Sequence, residues 1–220
     1  MLHDWDLTPD EAVALQSQLA MRVDTSVPLG PVRLVAGADI AYDTIAPILH
    51  AAVVVVRLPE LVEVERVVVQ EVVKFPYVPG LLSFRECPPI LSAFSRLRRR
   101  PDVLVLDGQG IAHPRRFGLA CHLGLWLDLP AIGCAKTWLF GDHAPVGPNA
   151  GDSTPLTDNG TEIGAVVRTA TGVRPAFVSP GHRCDVASAV GLVRSVLSGY
   201  RHPVPTRLAH LAANAARAGE

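Results

Sequence analysis

Three consecutive segments rich in β-branched residues place the strongest constraint on how this chain folds. Val32–Tyr42, Ile48–Leu58 and Leu61–Val73 are rich in valine and are separated only by short breaks. β-Branched residues favour strands, and short connections join neighbouring strands in antiparallel order. We therefore expect an antiparallel meander over residues 32–73.

The rest of the chain alternates short apolar strands with helices. A meander followed by strand–helix alternation predicts an α/β fold with a mixed central β-sheet flanked by helices. The stretch 137–159 is rich in Gly, Pro and Asp and is predicted to be an irregular surface excursion. Further predicted strands are Val103–Leu106, Ala131–Ala135, Thr161–Thr169 and Ala176–Val178, and predicted helices are Thr8–Met21, Pro88–Arg100, Phe117–Leu127, Asp185–Ser198 and Thr206–Ala216.

Length and composition favour one domain over residues 1–220, because 49% of the residues are hydrophobic and supply an ample core. Apolar runs such as Ala51–Val56 are far too short to span a membrane. The N-terminus, MLHDWDLTPDEA, lacks an apolar signal-peptide core, so a cytoplasmic location is expected. A net charge of −1 argues against a basic field over the whole chain. Arg96–Arg100 is either a solvated helix end or a phosphate contact.

The cysteines argue against a zinc site of the CxxC type. They are widely spaced, and a reducing compartment favours free thiols over disulfides. The four are Cys87, Cys121, Cys134 and Cys184.

The segment Phe75–Glu86, FPYVPGLLSFRE, places Tyr77 between two prolines. Proline fixes its own φ and restricts the preceding residue, so a stiff loop presents one large flat side chain. Glu86 ends the segment. The combination indicates a loop that inserts an aromatic ring into something stacked, next to an acid that holds a metal ion.

Three carboxylates interrupt or end apolar segments. Asp39 lies inside LVAGADIAY, Asp107 ends VLVLD, and Glu86 lies between the Tyr77 loop and a predicted helix. A buried carboxylate is costly unless it is paired or bound to a metal, and sheets of this kind bind ligands at strand ends. Hard oxygen ligands indicate Mg²⁺, with Mn²⁺ as a substitute, and such a site suits phosphodiester hydrolysis. The structural alternatives are a strand-end acceptor for Asp39, a turn-former for Asp107 and a helix-start carboxylate for Glu86.

Four basic side chains are further candidates, each with an alternative structural role. Lys136 follows a buried strand and either neutralises a phosphate or is a solvated strand end. His113 either contacts phosphate, assists proton transfer or makes a local loop hydrogen bond. His182 is interpreted as a helix-entry residue, and His210 on the last predicted helix says little by itself.

Six ordered segments spread over most of the chain carry a family resemblance: GADIAY, PYVPGLLSFRE, DGQGIAHPRRFGLACHLG, GCAK, SPGHR and PTRLAH. Through them the sequence resembles the endonuclease V family. That resemblance implies a ribonuclease-H-like fold and metal-dependent cleavage beside deaminated bases. Family members cut the second phosphodiester bond 3′ to deoxyinosine and leave 3′-hydroxyl and 5′-phosphate ends, and some also cut inosine-containing RNA.

The resemblance also implies roles for individual residues. Asp39 and Asp107 would be the principal metal ligands, and Glu86 the third acid of the catalytic set. His210 matches a C-terminal metal-site position, and Lys136 would be the catalytic-site lysine.

The resemblance also implies substrate contacts around the Tyr77 loop within Phe75–Glu86, here called the aromatic loop. Tyr77 would be the wedge that fills the space left by a displaced base. Backbone groups near Gly80, Leu82 and Gly108 would line a hypoxanthine pocket. Gln109 stands where many relatives carry His, so a proton-transfer role is not supported there. The full set of implied substrate-binding positions is Tyr77, Gly80, Leu82, Arg85, Gly108 and His113.

The residues and the resemblance together predict a monomeric, cytoplasmic DNA-repair endonuclease that uses Mg²⁺ on inosine-containing DNA, with inosine-containing RNA as an alternative substrate. One rival is another ribonuclease-H-like nuclease, such as a junction resolvase or a nuclease for RNA–DNA hybrids. The other is a lesion- or RNA-binding protein with a decayed metal site. The intact set of Asp39, Glu86 and Asp107 argues against the second.

Overall fold

The structure is a computed structural model that describes residues 2–43 and 45–219. Within those ranges the chain forms five α-helices and nine strands. The helices are α1 (Pro9–Ala20), α2 (Leu82–Ser95), α3 (Leu119–Leu127), α4 (Val186–Ser195) and α5 (Val204–Ala218). The strands are β1 (Leu34–Tyr42), β2 (Ile48–Arg57), β3 (Val62–Val72), β4 (Val103–Leu106), β5 (Ala131–Ala135), β6 (Asp142–His143), β7 (Ser153–Asp158), β8 (Thr161–Val167) and β9 (Ala176–His182).

The described strands form one mixed sheet in the order β3-β2-β1-β4-β5-β9-β8-β7-β6. The predicted meander is confirmed, since β2 pairs antiparallel with both β1 and β3. Strands β1, β4 and β5 are parallel neighbours, and β9 returns antiparallel to β5. The parallel centre brings the carboxyl ends of β1, β4 and β5 to the same edge of the sheet.

Helices cover both faces of the central strands. Leu104 and Leu106 of β4 belong to a buried cluster with residues of α2 and α3, whereas Val103 and Val105 pack with residues of α4. The two sets alternate along β4 because successive strand side chains point to opposite faces. A strand buried on both faces has a continuous apolar sequence, as VLVL does.

The α2 helix begins earlier and ends earlier than the sequence predicts. It spans Leu82–Ser95 rather than Pro88–Arg100, and both of its prolines lie inside it. Proline costs a helix a backbone hydrogen bond, which is why a start at Pro88 was expected. Phe84 and Cys87 are buried, and their packing compensates for the lost hydrogen bond, so the helix begins before the prolines. Glu86 is therefore a helical residue, and not one that precedes or starts the helix.

Two other predictions about the second half of the chain are wrong. The stretch 137–159 is not wholly irregular, since it contains β6 and β7, which pair with each other. Strand β9 continues four residues past Val178, through a Ser-Pro-Gly sequence that is atypical of strands. His182 is therefore the last residue of a strand, and not the helix-entry residue that the sequence predicted. Pairing of Pro180 with Ile132 of β5 holds the extension in the sheet.

The predictions about two helix caps and about the four cysteines are confirmed. Thr8 caps α1 through a capping box with Glu11, and Asp185 caps α4 by accepting from the Ser188 amide. Cys87, Cys121, Cys134 and Cys184 are all buried free thiols. Across residues 2–43 and 45–219, no helix is long and apolar enough to cross a membrane.

Candidate functional site

A cavity of about 470 Å³ lies at the carboxyl edge of β1, β4 and β5. It is lined by predicted catalytic side chains and by the aromatic loop, including Asp39, Glu86, Asp107, Lys136 and Tyr77. A second cavity of about 550 Å³ is lined by Asp102 and by other residues before the starts of β4 and β5. That second cavity contains none of the predicted catalytic side chains, so the carboxyl-edge cavity is the candidate site.

Asp39 is held at the site by β1 and by a contact with α5. Its Oδ2 atom lies 2.7 Å from Nδ1 of His210. The helix approaches closely because Gly37 lacks a side chain: a Cβ there would lie 2.1 Å from the carbonyl carbon of Pro205. Burial raises the pKa of Asp39, and the charge of Asp107 raises it further, while His210 opposes both effects.

Asp107 follows β4 and forms an ion pair with the lysine that follows β5. The Asp107 Oδ2 and Lys136 Nζ atoms are 2.5 Å apart. The two strand ends meet closely because Gly133 of β5 has no side chain, and a Cβ there would lie 2.4 Å from the Gly110 amide nitrogen. The predicted convergence of Asp107 and Lys136 is thus present in the fold.

Glu86 reaches the site from α2 and is nearly fully buried. Its Oε1 atom accepts a hydrogen bond from the Tyr42 hydroxyl at 2.5 Å. Burial raises the pKa of Glu86 to about 7, a rise opposed by the Tyr42 hydrogen bond and reinforced by the charges of Asp39 and Asp107. Three carboxylates therefore repel one another across a small volume, and that electrostatic strain favours a bound cation.

The donor set fits a hard divalent cation in its chemistry. Asp39, Asp107 and Glu86 offer carboxylate oxygens, which suit Mg²⁺ or Mn²⁺. Among residues 2–43 and 45–219, no three acidic, histidine or cysteine side chains already stand as a ready ligand group. Asp107 instead contacts Lys136 and Asp39 contacts His210, so these pairs supply the compensation that a cation would otherwise give.

The aromatic loop is braced through one carbonyl group. The Gly80 carbonyl accepts from Gln16 Nε2 at 3.0 Å and from Arg115 Nη2 at 2.9 Å, and it lies 3.1 Å from His113 Nε2. Gly80 has φ +81, a conformation that costs other residues, and a Cβ there would also lie 2.7 Å from Arg115. The bracing leaves the Tyr77 side chain 70% exposed beside the cavity.

His113 and Arg85 make mainly local contacts. His113 Nδ1 accepts from the Arg115 amide at 3.1 Å, and burial lowers the pKa of His113 to about 4. A neutral His113 therefore donates from Nε2 to Gly80, which is the loop hydrogen bond that the sequence left open. Arg85 donates to the Phe75 carbonyl at 2.8 Å and lies over the Tyr42 ring. His113 lines the cavity, as do Leu82 and Gly108, whereas Arg85 does not.

Three residues of the site were missed in the sequence. Tyr42 could have been found from strand alternation, which places it on the same face of β1 as Ile40, towards α2. Gln16 gave no signal, since its role depends on where α1 packs. His202 lies 4.0 Å from Asp107 through its Nε2 atom, and no pattern in the α4–α5 connection marked it.

Solved structures share the fold over nearly the whole chain. The crystal structure of Endonuclease V from Streptomyces avermitilis matches with a TM-score of 0.92 at 40% identity, covering 98% of this chain and 95% of that one. Endonuclease V of Ciona intestinalis, in complex with a 24mer DNA containing an inosine followed by a ribo-adenosine, matches with a TM-score of 0.83 at 25% identity, covering 96% and 98%. The matches place this chain among nucleases of the α/β, ribonuclease-H-like class and confirm the predicted fold.

Sequence comparison gives the family. Endonuclease V of Gloeobacter violaceus is 49% identical over 220 residues, covering 98% of this chain and 89% of that protein. The family model for Endonuclease V matches residues 14–211. The chain belongs to the endonuclease V family, and is accordingly a hydrolase of the nuclease type.

Proposed function

We propose that this chain is a divalent-metal-dependent repair endonuclease that cleaves the second phosphodiester bond 3′ to deoxyinosine, leaving 3′-hydroxyl and 5′-phosphate ends. The observation that carries the proposal is a single cavity shared by the carboxylates and the aromatic loop. A base held against the loop would place its flanking backbone near the acids. The Ciona intestinalis relative in complex with inosine-containing DNA supports the substrate class.

Asp39, Asp107 and Glu86 would hold the cation, with His210 beside Asp39. A bound Mg²⁺ or Mn²⁺ would activate water and offset charge on the phosphate. Lys136 stands in contact with Asp107, where its ammonium group can meet a phosphate oxygen once the cation takes over that carboxylate. Tyr42 fixes the orientation of Glu86 by donating to it.

The base pocket would be formed by backbone groups near Gly80, Leu82 and Gly108. Hypoxanthine presents O6 and N1–H where adenine presents an exocyclic amine, so fixed donors and acceptors can distinguish the two. A mispaired buried polar group costs about 1–3 kcal/mol, which is enough for useful discrimination. The three bonds to the Gly80 carbonyl keep this wall rigid, as such selection requires.

Tyr77→Ala is expected to weaken binding to an inosine-containing duplex by about tenfold to a hundredfold, because base–aromatic stacking contributes about 1–3 kcal/mol. Binding should be measured by fluorescence anisotropy on matched inosine and undamaged duplexes. Val62→Ala is the control, since Val62 is also an exposed apolar residue but lies on β3, outside the cavity. Equal affinity of the Tyr77 variant and the wild type for the inosine-containing duplex would refute the role of Tyr77 as a wedge.

The proposal is tested by cleavage of matched inosine-containing DNA and RNA, each with Mg²⁺, Mn²⁺ or a chelator. We expect cleavage with either cation and none with chelator, and product mapping should place the cut one nucleotide beyond the bond adjoining inosine. Cleavage of undamaged hybrids or of junctions at equal rates would favour another ribonuclease-H-like nuclease. Binding without cleavage would indicate a lesion-binding protein.

A further inference from the structure

His202 is a polar side chain at the site that the proposed mechanism leaves without a task. It lies in the connection between α4 and α5, and its side chain is 22% exposed. Its Nε2 atom is buried and has no hydrogen-bond partner among the described residues. An unsatisfied buried ring nitrogen is costly, so its position calls for a ligand.

The surroundings of His202 are those of the acid cluster. Its Nε2 atom lies 4.0 Å from Asp107 Oδ2, and its ring centroid lies 5.6 Å from that of His210. The neighbouring Arg201 anchors the connection by donating to the carbonyl oxygens of Lys136 and Pro175. The connection is therefore anchored next to the strand that leads to Lys136, and the imidazole lies near Asp107.

The separation of 4.0 Å between Asp107 and His202 is too long for a hydrogen bond but suits two ligands of one ion. Ligand atoms bound at about 2.1 Å from a small divalent cation lie between about 3.0 and 4.2 Å apart, from adjacent to opposite positions. A cation between these two atoms would satisfy the orphaned nitrogen and the Asp107 carboxylate together.

We propose that His202 is an additional nitrogen ligand at the carboxylate site and biases this chain towards Mn²⁺ over Mg²⁺. The inference rests on the proposed function, since it concerns the same cation. Mg²⁺ prefers oxygen ligands and keeps its waters, whereas imidazole suits transition metals. A nitrogen donor beside the carboxylates therefore strengthens Mn²⁺ binding and adds little for Mg²⁺.

The test is Mn²⁺ binding to the DNA-free protein, followed by the electron paramagnetic resonance signal of free Mn²⁺, with Mg²⁺ affinity obtained by competition. His202→Leu removes the nitrogen and keeps much of the bulk. We expect it to weaken Mn²⁺ binding by about tenfold, within the range seen when metal-site partners are removed, and to change Mg²⁺ affinity by less than about twofold. Nitrogen-14 modulation from bound Mn²⁺ should also weaken.

His143→Leu is the matched control, because His143 is exposed and lies outside the cavity. His202→Gln provides a second variant, and thermal melting establishes that each protein is folded. Unchanged Mn²⁺ affinity in both His202 variants, or equal losses for Mn²⁺ and Mg²⁺, would overturn the inference while leaving the proposed function intact. A wild-type protein that binds neither cation would overturn both.

Discussion

Asp107→Asn is expected to lower cleavage of inosine-containing DNA by about a thousandfold or more while the protein stays folded. The substitution keeps the size of the side chain but removes the charge that would hold a cation at the end of β4. Loss of one electrostatic group at a catalytic centre costs about a hundredfold to a thousandfold, and a lost metal ligand adds to that. Single-turnover cleavage with excess enzyme measures the effect directly.

Folding should survive because Asp107 takes part in two opposing interactions. It pairs with Lys136, whose side chain is 33% exposed and can be hydrated when the carboxylate is neutralised. It also raises the pKa of Asp39 through its charge, so its removal relieves that repulsion. Circular dichroism and thermal melting should therefore resemble those of the wild type.

Asp142→Asn is the control for Asp107→Asn, since Asp142 is exposed on β6 and lies outside the cavity. We expect wild-type cleavage from that variant. Asp39→Asn should behave as Asp107→Asn does, because its carboxylate belongs to the same cluster. Full cleavage by both site variants would refute the assignment of these aspartates as cation ligands.

The sequence sufficed for elements whose local pattern and tertiary role agree. The meander follows from β-branched content, and the edge where Asp39, Asp107 and Lys136 meet follows from the parallel centre of the sheet. The α2 helix differs from the prediction because local propensity did not decide where it begins. Pro88 and Pro89 predicted a helix start, but the buried packing of the preceding turn extends the helix in front of them. Propensity is a weak guide when an apolar face continues across a breaker.

Site residues were predictable when a strand pattern or a motif marked them, and not when only tertiary contacts bring them to the site. Tyr42 lies within a strand, so alternation alone would have placed it towards α2 and Glu86. His202 lies near Asp107, which is 95 residues away along the chain. Gln16 donates to the Gly80 carbonyl, 64 residues away. No local pattern encodes such a separation. The α4–α5 connection brings His202 near Asp107 only after α5 packs against β1.

Glu86→Gln is expected to stabilise the metal-free protein at pH 8 while nearly abolishing cleavage. The pKa of Glu86 is raised from 4.5 to about 7, chiefly by burial, so the folded state binds a proton more tightly than the unfolded state does. Stability therefore falls as the pH rises from about 4.5 to about 7 and levels off above that range. Integrated over that range, the cost is on the order of 3 kcal/mol.

Glutamine removes that cost because it cannot ionise, and its carbonyl oxygen can still accept from the Tyr42 hydroxyl. The difference in unfolding free energy between variant and wild type should be near zero at pH 4.5, should grow in favour of the variant up to about pH 7, and should change little above that. Urea denaturation at a series of pH values measures it. Mg²⁺ should stabilise the wild type more than the variant, since a cation compensates the charge that glutamine lacks.

Glu162→Gln is the matched control, because Glu162 is exposed at the start of β8 and should show no such pH-dependent difference. A Glu86 variant less stable than the wild type at pH 8 would mean that the carboxylate contributes more through its Tyr42 hydrogen bond than it costs through burial and repulsion. A stabilised variant that still cleaves would refute the assignment of Glu86 as a ligand of the cation. The expected pattern, greater stability with lost cleavage, identifies a charge that the fold retains at a thermodynamic cost because the chemistry requires it.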